Sequence, residues 1–231
     1  MKERKPVERD PLEAAIETAL RLGQFIDWRM ESMFTSGLHG IVAQIERVVL
    51  TDPERARSFY ESLLAGCYEK AEEMDDDGYF GVFVEGFYRG WVKARQTAGS
   101  DPDKTARLLL DCMENDPYGY ISQLEREIVK VLNEDVLAAF ERVVKILFEA
   151  KECTEQARSR WGAVLRAAYL QQQEVPAYIV LCEQAGFSAK DCLALAVMHT
   201  DPGKPTMRLP RLNAASKQTR GSFASQQQAT S

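Results

Sequence analysis

Asp75-Asp76-Asp77-Gly78-Tyr79-Phe80-Gly81-Val82-Phe83-Val84-Glu85-Gly86-Phe87-Tyr88-Arg89-Gly90-Trp91 decides the fold class. An acidic, glycine-ended turn stops one apolar stripe, and a second stripe begins directly after it. Phe83, Phe87 and Trp91 recur every four residues, the spacing of one face of an α-helix. Gly86 and Gly90 lie on an adjacent line, also four apart. Glycine in a helix interior costs roughly 1 kcal/mol against alanine, so the pair predicts a neighbouring helix packed close by.

Outward from this stretch the same period continues. Upstream, Phe59, Leu63, Cys67 and Ala71 mark a helix from Pro53 to Met74. Before it, a helix is expected over 11–30 on Ile16, Ala19, Leu20 and Ile26. Thr35-Ser36-Gly37 and Gly40 are expected to interrupt the next run, which resumes at Ile41, Ile45, Val48 and Val49. Downstream come a helix at about 102–115 (Ala106, Leu109, Leu110, Met113), a turn at Pro117–Tyr120, and a stripe of Ile121, Leu124, Ile128 and Leu132. Asn133 is expected to cap a helix carrying Val136, Phe140, Val143, Val144 and Leu147. Helices at 154–171, 175–185 and about 189–199 follow, with Gly186 ending the second and Ser188 and Asp191 opening the third.

Asp-Pro recurs at 10–11, 52–53, 101–102 and 116–117. Aspartate accepts hydrogen bonds from the free N–H groups of a helix start, and proline has no N–H to leave unpaired there. Four such dipeptides and no strand alternation predict an all-α chain, either an α-α helical repeat (solenoid-like) or an irregular bundle. Residues 1–10 are expected to be a frayed N-terminus and 11–200 the helical domain, with a possible sub-boundary near 150. Residues 201–231, poor in apolar periodicity and rich in Gly, Pro, Ser, Thr and Gln, are expected to be a disordered basic tail.

The 231 residues carry a net charge of −6. Beyond Thr200 there is one acid and there are five bases, Lys204, Arg208, Arg211, Lys217 and Arg220, so the tail is +4 and residues 1–200 are −10. An acidic body argues against a general nucleic-acid surface. No apolar run reaches the roughly 20 residues of a membrane span. No signal peptide is recognisable, so the cytoplasm is the expected compartment. The five cysteines are widely spaced, which fits buried thiols better than disulfides or a zinc ribbon.

Asp76-Asp77-Gly78-Tyr79-Phe80-Gly81, Ala106 to Leu110 with Asp116-Pro117-Tyr118-Gly119, and Leu137-Ala138-Ala139-Phe140 together resemble a bacterial helical domain of unknown function. That domain also occurs downstream of the zinc finger in SWIM zinc-finger proteins. Trp161 to Met198, with Asp-Cys-Leu-Ala-Leu-Ala at 191–196, is similar to the tetratricopeptide-like helices that follow it there. The resemblance spans roughly 70–200 and implies an α-α repeat fold and no known activity. The closely spaced Cys and His ligands of the SWIM finger are missing, so zinc is not carried over. Further helix pairs are replaced here by the basic tail, which makes a truncated or frameshifted relative one expectation.

The acidic turn fails as a calcium loop: with Gly78 sixth, the twelfth position is Val84 rather than a bidentate glutamate. A helix-ending turn with Gly78 at positive φ is expected instead. His39 and His199, the two histidines, lack metal-ligand spacing and any companion nucleophile motif. Glu125, Glu127, Glu134 and Asp135 alternate with bases and read as a solvated helix face. Phe83, Phe87 and Trp91 read as core. Tyr79 and Tyr88 fall off that stripe and are the candidate groove residues, joined by Tyr118 and Tyr120 at the turn. No cofactor or metal is expected.

The favoured function is a non-enzymatic, protein–protein interaction scaffold whose acidic body suits basic partners. An unpaired apolar face on helix 189–199 raises self-association through that helix. One alternative is an accessory or regulatory subunit whose basic tail contacts nucleic acid. A second is an enzyme of unrecognised type.

Overall fold

A computed structural model describes residues 10–75, 78–121 and 124–199, apart from the side chains of Tyr79 and His199. The expected frayed N-terminus, all but Asp10, and the expected disordered tail lie outside these residues.

Among the described residues the chain forms ten α-helices, one 3-10 turn and no strand. The helices are α1 Pro11–Ala19, α2 Trp28–Val49, α3 Pro53–Ala71, α4 Tyr79–Thr97, α5 Pro102–Glu114, α6 Leu124–Glu127, α7 Glu134–Glu149, α8 Glu155–Gln172, α9 Val175–Ala185 and α10 Ala189–His199, with the 3-10 turn at Ile128–Val131. The all-α reading holds. The first four helices pack as a bundle: α1 lies on α2 and α3, and α2 on α3 and α4. From α5 onward packing runs from neighbour to neighbour, α5 on α7, α7 on α8, α8 on α9 and α9 on α10, while α6 and the 3-10 turn lean on α8.

Three of the four Asp-Pro pairs start helices. Asp10 accepts from the Leu12 N–H at 2.9 Å, Asp52 from Arg55 at 3.1 Å and Asp101 from Lys104 at 2.7 Å. Asn133 caps α7 through the Val136 N–H, as expected. The fourth pair does not. Asp116 sits in the turn after α5, where its carboxylate reaches across to other elements.

The expected helix over 11–30 is two elements. Gly23 at φ +95° breaks it, and a loop runs from Leu20 to Asp27. Ile26 and Met74 form an isolated parallel bridge, with the Ile26 N–H on the Glu73 carbonyl (2.8 Å) and the Asp75 N–H on the Ile26 carbonyl (3.0 Å). The buried Lys70 ammonium donates to the Arg21 carbonyl (3.1 Å), the Gln24 carbonyl (2.5 Å) and Glu73 Oε2 (2.7 Å). Glu73 also takes the Gly23 N–H at 2.7 Å. The charge is thus fully used in holding backbone that no helix satisfies.

The expected break at 35–40 does not occur. α2 runs through Gly37 and Gly40, where an added Cβ would meet nothing within 4 Å. On its inner face Leu38, Ile41, Ile45 and Val49 are buried and hold the helix together by packing.

In α4, Phe87 and Trp91 are core, while Phe83 is half-buried at the edge, its ring 4.8 Å from Phe87. Gly78 precedes the helix at φ +99°, the left-handed conformation expected of it. Gly90 is where a neighbouring helix comes close: a Cβ there would stand 2.3 Å from Tyr60 Cζ. Gly86 meets nothing within 4 Å. The expected stripe Ile121, Leu124, Ile128 and Leu132 is buried throughout, yet it folds as a one-turn helix and a 3-10 turn rather than a continuous helix.

Candidate functional site

Of the candidate tyrosines, Tyr88 of α4 and Tyr118 and Tyr120 of the turn after α5 converge on α3 and its C-terminal end. Tyr88 donates its hydroxyl to the Tyr68 oxygen at 3.0 Å, and Tyr68 donates to Asp116 Oδ1 at 3.0 Å. The other carboxylate oxygen of Asp116 accepts from the Ile121 N–H at 2.7 Å. Tyr118 and Tyr120 stack at 5.4 Å, and Tyr68 lies 5.6 Å from Tyr120. Tyr118 donates to Glu72 Oε1 at 2.5 Å. Gly81 clears the way for this cluster, since a Cβ there would sit 3.0 Å from the Tyr120 ring.

Burial does not match the expected groove. Tyr88 is 3% exposed and Tyr120 7%, so both are internal; Tyr118, at 39%, reaches solvent. Tyr88 lies beside the Phe87 stripe and faces α3, which a four-residue period alone does not reveal. Tyr79 opens α4, and its side chain lies outside the described residues. Tyr68, Glu72 and Asp116 are the partners that sequence reasoning missed.

Burial pushes the Tyr88 and Tyr68 hydroxyls well above the ordinary phenol range; the bond to Tyr68 adds to this for Tyr88, and Asp116 adds to it for Tyr68. The phenols therefore stay protonated at neutral pH and act as donors. The cluster ties α3, α4 and the α5–α6 turn together.

The acidic stretch 125–135 is not wholly a solvated face. Glu125 is buried and accepts from Arg160 Nε at 2.7 Å. Arg160 also donates to the Met113 carbonyl at 2.6 Å and lies 4.4 Å from the Trp161 ring centre. The broad recess outside this pair, about 830 Å3, is open and bordered by Thr154, Glu155, Gln156 and Ser159, and the Arg160 guanidinium at its wall is already committed. Glu127 pairs at the surface with Lys130. Asp191 is buried and accepts from Arg166, the Tyr178 hydroxyl and both the N–H and hydroxyl of Ser188. Burial alone would raise its pKa; the Ser188, Tyr178 and Arg166 contacts outweigh that and bring it down to about 2.

Among the described residues no three His, Cys, Asp or Glu side chains are grouped to hold a metal. His39 rests edge-on against Phe83 at 4.4 Å. No described helix is long and apolar enough to cross a membrane.

A second recess lies between α7, α8 and α9. Phe148, Leu165, Tyr169, Pro176, Ala177 and Val180 line a cavity of about 290 Å3, with Lys145, Glu149 and Gln184 among the polar residues at its wall. Val180 is 51% exposed, and Ile146, on the same helix as Lys145 and Glu149, is 68% exposed. The apolar runs of α7 to α9 announced the helices. They did not announce the gap, which depends on how far apart three helices settle.

No family model, no curated protein and no solved structure matches the chain.

Proposed function

We propose that this protein is a non-enzymatic helical scaffold that takes a segment of another polypeptide in the groove between α7, α8 and α9. The observation that carries this is the groove itself: a recess of about 290 Å3 between three helices, with Phe148, Leu165 and Leu181 in its lining, Val180 half exposed at its mouth, and Lys145, Glu149 and Gln184 beside them. Such a shape suits the apolar anchors of an amphipathic helix or short peptide. The −10 charge of residues 1–200 favours basic residues flanking those anchors, chiefly by speeding and steering encounter. The buried tyrosines and Glu125–Arg160 then serve rigidity rather than chemistry. The reading also takes in the resemblance of residues 70–200 to the helical region of SWIM zinc-finger proteins, which implies a repeat fold and no activity.

The test is a random-peptide display library panned on the full chain and on its Val180→Glu variant. Val180 is half exposed, so the charge leaves the core intact. Enrichment of peptides with apolar anchors and Lys or Arg flanks, lost on Val180→Glu, supports the proposal. Peptides that bind both chains equally, or no enrichment, would contradict it.

A further inference from the structure

The loop between α1 and α2 turns its large apolar side chains to solvent. Leu22 is 50% exposed, Phe25 60%, and Trp28, which opens α2, 63%. The backbone that carries them is nonetheless fixed. Ile26 is bridged to Met74, Lys70 donates to the Arg21 and Gln24 carbonyls, and Glu73 takes the Gly23 N–H. A buried ammonium and a bridge thus hold three apolar side chains facing water. Their burial does not stabilise this fold, and their fixed backbone presents them as a preorganised contact surface.

Arg21 and Arg29 are exposed on either side of these residues, and the Arg29 guanidinium lies 5.1 Å from the Trp28 ring centre. The segment Arg21–Arg29 therefore sets apolar anchors between basic flanks, which is the chemistry the α7–α9 groove suits. Glu149 in the wall of that groove and Glu183, exposed beside Gln184 on α9, outnumber Lys145 there. Phe25 and Trp28 would each enclose on the order of 150–250 Å2 when fully buried. The loop thus suits a small, transient interface rather than a permanent one.

α1 and α2 pack on α3 and α4, whereas α8 and α9 pack on α7, α6, α10 and the 3-10 turn. The loop is built onto a different part of the helix array from its own groove. A second copy brings the two surfaces together without rearranging either. A two-fold pairing of loop with loop would leave the groove unfilled; loop into groove matches a convex apolar surface with a concave one. The resulting contact is head-to-tail, and each molecule keeps one loop and one groove free for the next.

We propose that the α1–α2 loop, through Leu22, Phe25 and Trp28, docks into the α7–α9 groove of a second copy of this chain. This rests on the groove being a peptide site. The test is sedimentation velocity of the full chain from micromolar to near-millimolar concentration, beside the Phe25→Ser/Trp28→Ser chain, the Val180→Glu chain and their equimolar mixture. The exchanged side chains are at least half exposed, and thermal melting by circular dichroism checks that each variant folds; Leu22→Glu repeats the loop arm with another side chain. The parent should associate as concentration rises, and each variant alone should do so at least tenfold more weakly. The mixture should form one-to-one dimers and nothing larger, because the Val180→Glu chain supplies an intact loop and the Phe25→Ser/Trp28→Ser chain an intact groove. A monomeric parent, a mixture no more associated than its components, or a Val180→Glu chain that associates like the parent would overturn the proposal. Library peptides lost on Val180→Glu, together with a monomeric parent, would leave the groove standing as a peptide site and remove the second copy as its occupant.

Discussion

Tyr60 occupies the space that a side chain at position 90 would need: a Cβ on Gly90 would fall 2.3 Å from Tyr60 Cζ. Tyr60 is almost wholly buried, so its ring has nowhere to retreat. This contact sets how closely α3 and α4 approach. Gly90→Ala should therefore lower stability by about 1–3 kcal/mol despite alanine's better helix propensity. Gly86→Ala, with nothing within 4 Å, should raise it by about 0.5–1 kcal/mol. Urea unfolding of the two variants checks the opposite signs.

Tyr68 both accepts from Tyr88 and donates to Asp116. Tyr68→Phe removes two bonds and leaves a buried hydroxyl and a carboxylate short of partners, a loss of about 1–3 kcal/mol. Tyr88→Phe removes only the outermost donor and should cost about 0.5–1.5 kcal/mol. The order of the two denaturation midpoints is the check. The reverse order would mean the hydroxyl chain does not run through Tyr68 to Asp116.

Lys70 holds the 20–27 loop by two contacts from a buried ammonium, to the Arg21 and Gln24 carbonyls, and makes a third to Glu73. Lys70→Met keeps the stem and removes the donor, leaving the Arg21 and Gln24 carbonyls unsatisfied. A loss of about 2–4 kcal/mol is expected. Hydrogen exchange should quicken first at Gly23 and Ile26, whose N–H groups are bonded to Glu73. Uniform exchange across the chain would refute a local role.

Asp191 is drawn down from 3.8 to about 2 by Ser188, Tyr178 and Arg166, against the opposing effect of burial. A depressed carboxylate pKa contributes stability that is complete above the unfolded value, near 4, and is lost as pH falls through about 2. The shift corresponds to about 2 kcal/mol. Asp191→Asn should therefore be less stable than the parent at pH 6, and the gap should narrow between pH 4 and pH 2. Urea midpoints across that range measure it.

The helices were legible because caps and stripes are local. As caps, Asp10, Asp52, Asp101 and Asn133 each bond an N–H within three residues of themselves, so that role follows from neighbours in sequence, although Asp10 also accepts from Arg55, 45 residues on. Asp116 has the same Asp-Pro form, but its carboxylate is engaged 48 residues back at Tyr68. Gly86 and Gly90 look alike in sequence; only the position of Tyr60 separates them. A single four-residue stripe leaves Tyr88 off the core, whereas α4 is covered by both α2 and α3 and buries a wider arc. Lys70 carries no sign of burial, since the carbonyls it serves lie in a loop that periodicity extended as helix. The α7–α9 groove is a spacing between helices, and no single residue encodes it.

The most direct test of the scaffold account is amide NMR of the full chain titrated with the best peptide from display panning. Shift changes concentrated at 145–149, 165–169 and 176–184, and absent in Val180→Glu, are the predicted result. Changes centred on other helices, or the same changes in Val180→Glu, would contradict it.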